Sequence, residues 1–423
     1  MVVFYIWNQK KHNLNLLPFG VITKISEVVT LRAPFFFLYF TLSLFLYIIA
    51  IPIILYLSFK SKYKKSLPAR FFLQKTPHFE KEGIWFHACS LGEAKALEPL
   101  IKEVEHAEVN ISVITHTGFA AASAYKKANV SYLPYELFLP FWQTKQRLLI
   151  VLEAEFWYML FVTAFAQGTK LVLLNARISE RSYPKYLKMR WFYKRLFECV
   201  DTIYVQSAVD KERFESLGAS NIKVIGNIKL AQKIKASTFY NKPKGISIVG
   251  GSTHPSEEKL LLDAFLEFRK VHDEETHLII VPRHPERFKE VGEMMQEYAD
   301  KYELSFSHFS KSKALDADII LVDEMGELNN IYQVSDIAVL GGGFVPVGGH
   351  NPLEPIAFGC KVISGKEIFN QKELFSYVKD AQIIEKSELK NALVKALDMP
   401  ASHIDETVDL TEIKNLIKKY DYK

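Results

Sequence analysis

Cysteine is scarce in this sequence. Among 423 residues there are three, Cys89, Cys199 and Cys360, far apart and without C-x-x-C spacing. That excludes a disulfide framework and a cysteine-ligated zinc site, and it fits reduced thiols in a cytosolic body. An excess of charge of one sign is lacking too. Lys and Arg number 53 against 48 Asp and Glu, a net charge of +5. So small a surplus carries no global polyanion-binding signature, and no nucleic-acid partner is expected. Short repeats and low-complexity tracts are absent. Strongly apolar segments of membrane-spanning length are absent as well, with one exception.

The exception is Ala33–Phe59. As a helix it would reach roughly 40 Å at about 1.5 Å per residue, against a hydrocarbon core of about 30 Å. It is long enough to span with tilt, or to bend at Pro52, and it lies too far from the start for a signal peptide. Lys60, Lys62, Lys64, Lys65 and Arg70 follow it, while Lys24 and Arg32 lie close ahead. The positive-inside rule then puts the large C-terminal part in the cytoplasm. The expected organisation is an N-terminal extension (1–32), a membrane-anchoring helix (33–59) and two α/β domains (67–235 and 243–423). A buried core helix is the competing reading of the apolar run.

From Gly83 onward short apolar runs alternate with helical stretches, the pattern of parallel sheets. Strands are expected at 84–89, 111–115, 148–152, 170–174, 202–205 and 223–225. The hydrophilic segment Ala231–Lys244 reads as a linker. A second series follows, with strands at 246–249, 277–281, 318–322 and 337–340. Each of these delivers a polar or glycine-rich loop at its carboxyl end, where open parallel sheets bind ligands.

The most informative loop is Gly341–Pro355, GGGFVPVGGHNPLEP. Its glycines allow close approach and positive φ. Asn351 can cap a helix with Pro352 in its first turn, and the helix start with free N–H groups makes an anion site. Glu354 would reach sugar hydroxyls, and His350 stands beside it. A turn that needs glycine for packing alone is the alternative. Arg283 and His284 follow a strand and offer a planar cationic fork to a phosphate. Glu93, after Gly92 at a strand-to-helix turn, could take a proton from a hydroxyl, or could simply cap its helix. Glu153 and Glu155 follow another strand. Asp316 and Asp318 have metal-binding D-x-D spacing but precede their strand, so no metal is expected. Arg177–Arg195 is basic and aromatic, which suits an anionic membrane surface or a phosphorylated lipid, or a solvated helix face.

Taken in order, His87–Glu93, Leu152–Trp157, Asn175–Ser179, Gly226–Lys229, Ser252–His254, Val281–Phe288, Met325–Leu328 and Gly348–Pro355 resemble the 3-deoxy-D-manno-oct-2-ulosonic acid (Kdo) transferases. The resemblance runs from about Ala33 across almost the whole chain. It implies the GT-B fold, two Rossmann-like domains facing a cleft. It implies an inverting glycosyltransferase that moves Kdo from CMP-Kdo to a lipid A precursor (lipid IVA), in lipopolysaccharide assembly at the cytoplasmic face of the inner membrane. Under this resemblance Glu93 matches the general base, and Glu153 and Lys229 match residues that stabilise the transition state. Pro282, Arg283, Met325, Gly326, Glu327, Asn351, Pro352, Leu353 and Glu354 match the CMP site. Ser252, Thr253, His284 and His350 are further candidate donor contacts. No cofactor or metal is implied, CMP-Kdo being a substrate. The chain departs from the family pattern in the residues before the anchor, at Ala154 where Thr is usual, and at Tyr158 where Pro is usual. Rival readings are a GT-B enzyme using a UDP-sugar, as transferase or epimerase, and a non-catalytic nucleotide-binding protein tethered to the membrane.

Overall fold

A computed structural model describes residues 19–60, 63–231, 234–405 and 408–422, with the backbone path alone for 19–33. The expected extension 1–32 therefore lies outside the described residues up to position 18, and Lys62 lies outside them too. Helix α1 (Phe19–Ser58) starts well before Ala33 and contains Pro34 and Pro52. Its stretch Pro34–Ser58 has a mean hydropathy of 2.4 and is the one helix, among the described residues, long and apolar enough to cross a membrane. One side packs on the body. The Phe35 ring meets Tyr158 edge-on at 5.2 Å, the Tyr39 hydroxyl donates to Glu136 at 2.7 Å, and the Tyr47 hydroxyl donates to the Phe71 carbonyl at 2.6 Å. Leu38, Leu42, Phe45, Ile49 and Ile53 on α1 are exposed. Stabilising such a face takes an apolar surrounding, at about 25 cal/mol per Å² of surface removed from water.

The chain divides into two compact units, Met1–Gln232 with Val408–Lys423, and Lys233–Thr407. Unit 1 holds β1 (Ile84–Ala88), β2 (Val109–Val113), β3 (Ala128–Tyr132), β4 (Leu148–Leu152), β5 (Lys170–Ala176), β6 (Thr202–Val205) and β7 (Ile222–Val224). They form one parallel sheet in the order β3-β2-β1-β4-β5-β6-β7. Ile84 of β1 stands opposite Val109 on one side and Leu148 on the other. Strands β1, β2 and β4 are wholly buried, which is why they read as continuous apolar runs rather than as alternation.

Unit 2 holds β8 (Ile246–Thr253), β9 (Thr276–Pro282), β10 (Phe306–His308), β11 (Ile319–Leu321), β12 (Ile337–Leu340) and β13 (Lys361–Gly365), then β14 (Val378–Lys379), β15 (Gln382–Ile384) and β16 (His403–Ile404). Its sheet is also parallel, in the order β10-β11-β9-β8-β12-β13-β15, while β14 and β16 make a separate antiparallel pair. Two Rossmann-like α/β units are thus present, as the GT-B resemblance implies.

The boundaries differ from expectation in two places. The last residues return to unit 1 rather than completing a 243–423 domain. Leu410, Ile413 and Ile417 are buried in the unit 1 core, and the Asp421 carboxylate accepts the N–H groups of Glu105, His106 and Ala107. The hydrophilic run expected as a linker is tied down over part of its length. The Asn330 side-chain oxygen accepts the N–H groups of Ser237 and Thr238, and the Tyr240 hydroxyl donates to Glu327 at 2.9 Å.

Candidate functional site

In unit 1 the chain leaves buried β1 into a tight turn. Ser90 takes extended geometry and caps a short helix (Leu91–Ala96), its hydroxyl oxygen accepting the Glu93 N–H. The Glu93 carboxylate returns the contact. It accepts the Ser90 hydroxyl at 2.7 Å and the Cys89 N–H at 2.8 Å, close to a reciprocal capping box. Glu93 is 6% exposed, buried even though it stands at a turn. Burial raises its pKa, the nearby Glu153 charge adds to the rise, and the bonds from Ser90 and Cys89 oppose it. A six-residue helix supplies too little dipole to reverse that balance.

Beyond β4 the backbone of Glu153 turns left-handed, at φ 56°. Its carboxylate pairs with Lys229 Nζ at 2.6 Å, and both side chains are about one-fifth exposed. Asn175, also left-handed at φ 57°, holds this pair from behind. Its amide donates to Glu153 at 3.4 Å, and its carbonyl accepts the N–H of Ile228, next to Lys229, at 3.0 Å. Non-glycine residues held at positive φ cost roughly 1–3 kcal/mol each and cluster where geometry serves function. Glu155 is engaged elsewhere. Burial would raise its pKa, but contacts from His87, Trp157 and Cys89 outweigh it and leave it lowered. The Trp157 indole N–H donates to it at 2.7 Å. The structure therefore brings Glu153 and Lys229 into contact, with Glu93 within electrostatic reach of Glu153.

In unit 2 the glycine loop is tighter than its sequence suggests. A Cβ on Gly341 would stand 2.3 Å from the Ser252 carbonyl, and Gly342 has φ 68°. Three backbone N–H groups in and beside the glycine loop already face an anion. The Glu257 carboxylate accepts Gly342 N–H at 2.8 Å, Phe344 N–H at 3.0 Å and His254 N–H at 2.9 Å. Glu257 is 1% exposed, so an external phosphate has no access to those donors. The helix expected after Asn351 is one turn long (Leu353–Ile356) and begins with Pro352 as cap, while Asn351 accepts the Leu353 N–H at 3.0 Å. Its dipole is correspondingly small.

Ser252 and Thr253 end β8 and His254 follows it, and Ser252 is left-handed at φ 55°. His254 and His350 stack with centroids 5.4 Å apart, their Nε2 atoms 3.1 Å apart. His284 stands edge-on to His254 at 5.5 Å, and Arg283 N–H donates to the Thr253 carbonyl at 3.0 Å. Burial, then the Arg283 charge, lowers the His350 pKa to about 4, and burial with the His284 and Arg283 charges lowers that of His254. Both imidazoles are neutral donors or acceptors at neutral pH. Pro282 is buried where Arg283 and His284 are exposed. Met325 is exposed, Gly326 has φ 91°, and Glu327 accepts from Tyr240 and from Asn330. Leu353 is buried and Glu354 half-buried, its charge bearing on the buried Tyr332. Asp318, of the D-x-D spacing, is taken up by Arg269 and by Ser305.

Sequence reasoning gave no role to Asn175 or Glu257. Asn is the commonest non-glycine residue in left-handed geometry, a faint signal for the first. For the second, only the His254 N–H is a local partner; Gly342 and Phe344 are distant in the chain.

A family model described as 3-deoxy-D-manno-octulosonic-acid transferase (kdotransferase) matches residues 65–232. A 3-deoxy-D-manno-octulosonic acid transferase of Haemophilus influenzae is 32% identical over 81% of this chain and 85% of its own length. A bifunctional glycosyltransferase/methyltransferase of Fusobacterium nucleatum is 33% identical over 75% of this chain, which spans 52% of that relative. Among solved structures, the C-terminal CMP-Kdo binding domain of WaaA from Acinetobacter baumannii is 24% identical, covering 42% of this chain and 86% of that one, with a TM-score of 0.32. By the extent and identity of these matches, the chain belongs to the 3-deoxy-D-manno-octulosonic acid transferase family of glycosyltransferases.

Proposed function

We propose that this protein transfers Kdo from CMP-Kdo to a hydroxyl of a lipid A precursor, with inversion, at the cytoplasmic face of the inner membrane. The observation that carries the reading is the Glu93 carboxylate, oriented by Cys89 N–H and Ser90 Oγ in a chain of this family. Glu93 accepts the proton of the acceptor hydroxyl as its oxygen bonds to the anomeric carbon. The bond from that carbon to the CMP phosphate breaks on the opposite side, and CMP departs with the electron pair. No protein nucleophile enters, so the configuration inverts. Lys229, held by Glu153, faces negative charge that builds during transfer. Arg283 supplies the cation for the leaving phosphate, with the Ser252–His254 turn and His350 as neutral partners; preorganised donors of this kind contribute roughly 2.7–4 kcal/mol apiece. With that cation in place the reaction needs no metal. The lipid substrate is reached through the exposed face of α1 and the neighbouring Trp191 and Met189, which Lys188, Arg190 and Lys194 accompany.

The full chain in detergent, given CMP-Kdo and a lipid A precursor, is expected to release CMP and increase the mass of the lipid by that of Kdo. Release of CMP without any change in the lipid would overturn the reading.

A further inference from the structure

Helix α1 has two faces with different surroundings. Phe35, Tyr39, Ser43, Tyr47 and Ile54 share one side of the helix by their spacing, and that side is turned into unit 1. The Phe35 ring meets Trp191 at 5.7 Å and Phe192 at 6.1 Å. Tyr39 is tied to Glu136. The Tyr47 ring stacks on Tyr135 at 5.9 Å and meets Phe138 edge-on at 5.4 Å, and its hydroxyl holds the Phe71 carbonyl. Ser43 and Ile54 are buried. This inner side covers residues 35–54, roughly 28 Å at about 1.5 Å per residue.

The outer side is apolar and uncovered. Leu38, Leu42, Phe45, Ile49 and Ile53 recur at intervals of three and four residues and are between 54% and 66% exposed. No charged residue lies within 34–58. A helix apolar all round belongs in apolar surroundings on every side, and the body supplies them on one side alone.

A transmembrane course conflicts with the inner side. Were this stretch to cross a bilayer, the elements packed along it would enter the hydrocarbon with it. Those include the Glu136 carboxylate, the turn at Tyr135 and the short helix Ser66–Phe72 with Arg70. Ionisable groups and lipid-exposed irregular backbone are costly there. A helix lying along one leaflet meets no such conflict. Its borders suit headgroups: Lys60, Lys64 and Lys65 follow α1, while Lys188 and Arg190 stand near Trp191 by Phe35. All five cations are exposed, and among the described residues none pairs with a carboxylate. Trp191 is half-exposed, and its residue type is enriched at the membrane–water boundary.

We propose that α1 is a monotopic membrane element, lying in the plane of the bilayer with Leu38, Leu42, Phe45, Ile49 and Ile53 sunk into the acyl chains of one leaflet. The proposal rests on the membrane placement given above and is independent of the transfer chemistry. It puts both ends of α1 on the same side of the membrane as the body.

The test uses the full chain with an N-terminal epitope tag in inside-out inner-membrane vesicles. Protease added outside is expected to remove the tag along with the body, and in intact spheroplasts the tag is expected to be protected. A tag protected in inside-out vesicles but removed in spheroplasts would show that α1 crosses and would overturn this proposal alone. Cosedimentation with vesicles of phosphatidylethanolamine and phosphatidylglycerol gives a second reading. Leu42→Lys combined with Ile49→Lys is expected to lower vesicle partition at least about tenfold with an unchanged unfolding midpoint. Tyr39→Phe, on the inner side, is expected to keep the partition and lower the midpoint. Unchanged partition in the double variant would overturn the proposal. So would a detergent-free dimer that the double variant dissociates, since the outer face then belongs to a second copy. Wild type that stays off the vesicles would overturn the membrane placement as well.

Discussion

Each unit places a buried glutamate just after its central first strand, and the two have been put to different ends. Glu93 follows β1 and Glu257 follows β8, each in the first turn of the helix that comes next. Burial raises the pKa of both. Glu257 is saturated by three backbone N–H groups, and it clamps the glycine loop to the start of its helix. Glu93 has two donors and two neighbouring carboxylates, whose charge adds to the rise. A carboxylate fully satisfied by backbone is a structural tie, whereas one with spare acceptor capacity and a raised pKa is suited to receive a proton. The surroundings divide the same way. Carboxylates and a lysine gather in unit 1, and imidazoles with an exposed guanidinium gather in unit 2.

The comparison breaks most visibly at Glu93. Glu93→Gln keeps the side chain's reach but cannot take up a proton, so kcat should drop by at least about 10²-fold. Turnover near wild type with a lowered thermal midpoint would make Glu93 a cap and nothing more. Glu257→Ala should do the reverse and act first on stability. Three buried N–H donors lose their partner, and at roughly 1 kcal/mol or more each the loss is about 3 kcal/mol, read as a lower unfolding midpoint. An unchanged midpoint would mean that water or another group satisfies the loop.

Arg283→Ala sharpens the division from the other side. Arg283 is exposed, so its charge-assisted contact to phosphate is worth roughly 1.5–3 kcal/mol. That should appear as a raised KM for CMP-Kdo; unaltered kinetics at limiting donor would remove Arg283 from the phosphate site.

Two pH effects are smaller. As the proposed base Glu93 must be ionised, and its pKa is raised, so the acid limb of kcat/KM should fall at a pH above the ordinary carboxylate range. His350 has a folded pKa of about 4 against an unfolded value near 6.5. The unfolded chain binds the extra proton between those values, so stability is complete above about pH 6.5 and declines as pH falls toward 4. His350→Gln should flatten that decline, and an identical pH dependence in the variant would contradict the assignment.

Much of this was legible in the chain itself. The buried central strands announced themselves as apolar runs, and β4, β6 and β12 fall where the sequence put them. β3 did not, because Ala128–Tyr132 lies at the sheet edge with Asn129 exposed and carries no continuous apolar run. β10, three residues long and also at an edge, is too short to show a period. The return of Ile413 and Ile417 to unit 1 was hidden because amphipathic spacing tells that a face is buried, not against what. The glycine loop was recognised, but its occupation by Glu257 depends on a contact between distant segments. The Glu153–Lys229 pair was assembled by a left-handed turn at Asn175 that no periodicity encodes.

The division of labour between the two units is tested most directly by equilibrium binding of CMP to wild type, Glu93→Gln and Arg283→Ala. The account predicts that Glu93→Gln binds CMP within about twofold of wild type despite its lost turnover, while Arg283→Ala binds it at least about tenfold more weakly. Loss of CMP affinity in Glu93→Gln as large as that in Arg283→Ala would contradict it.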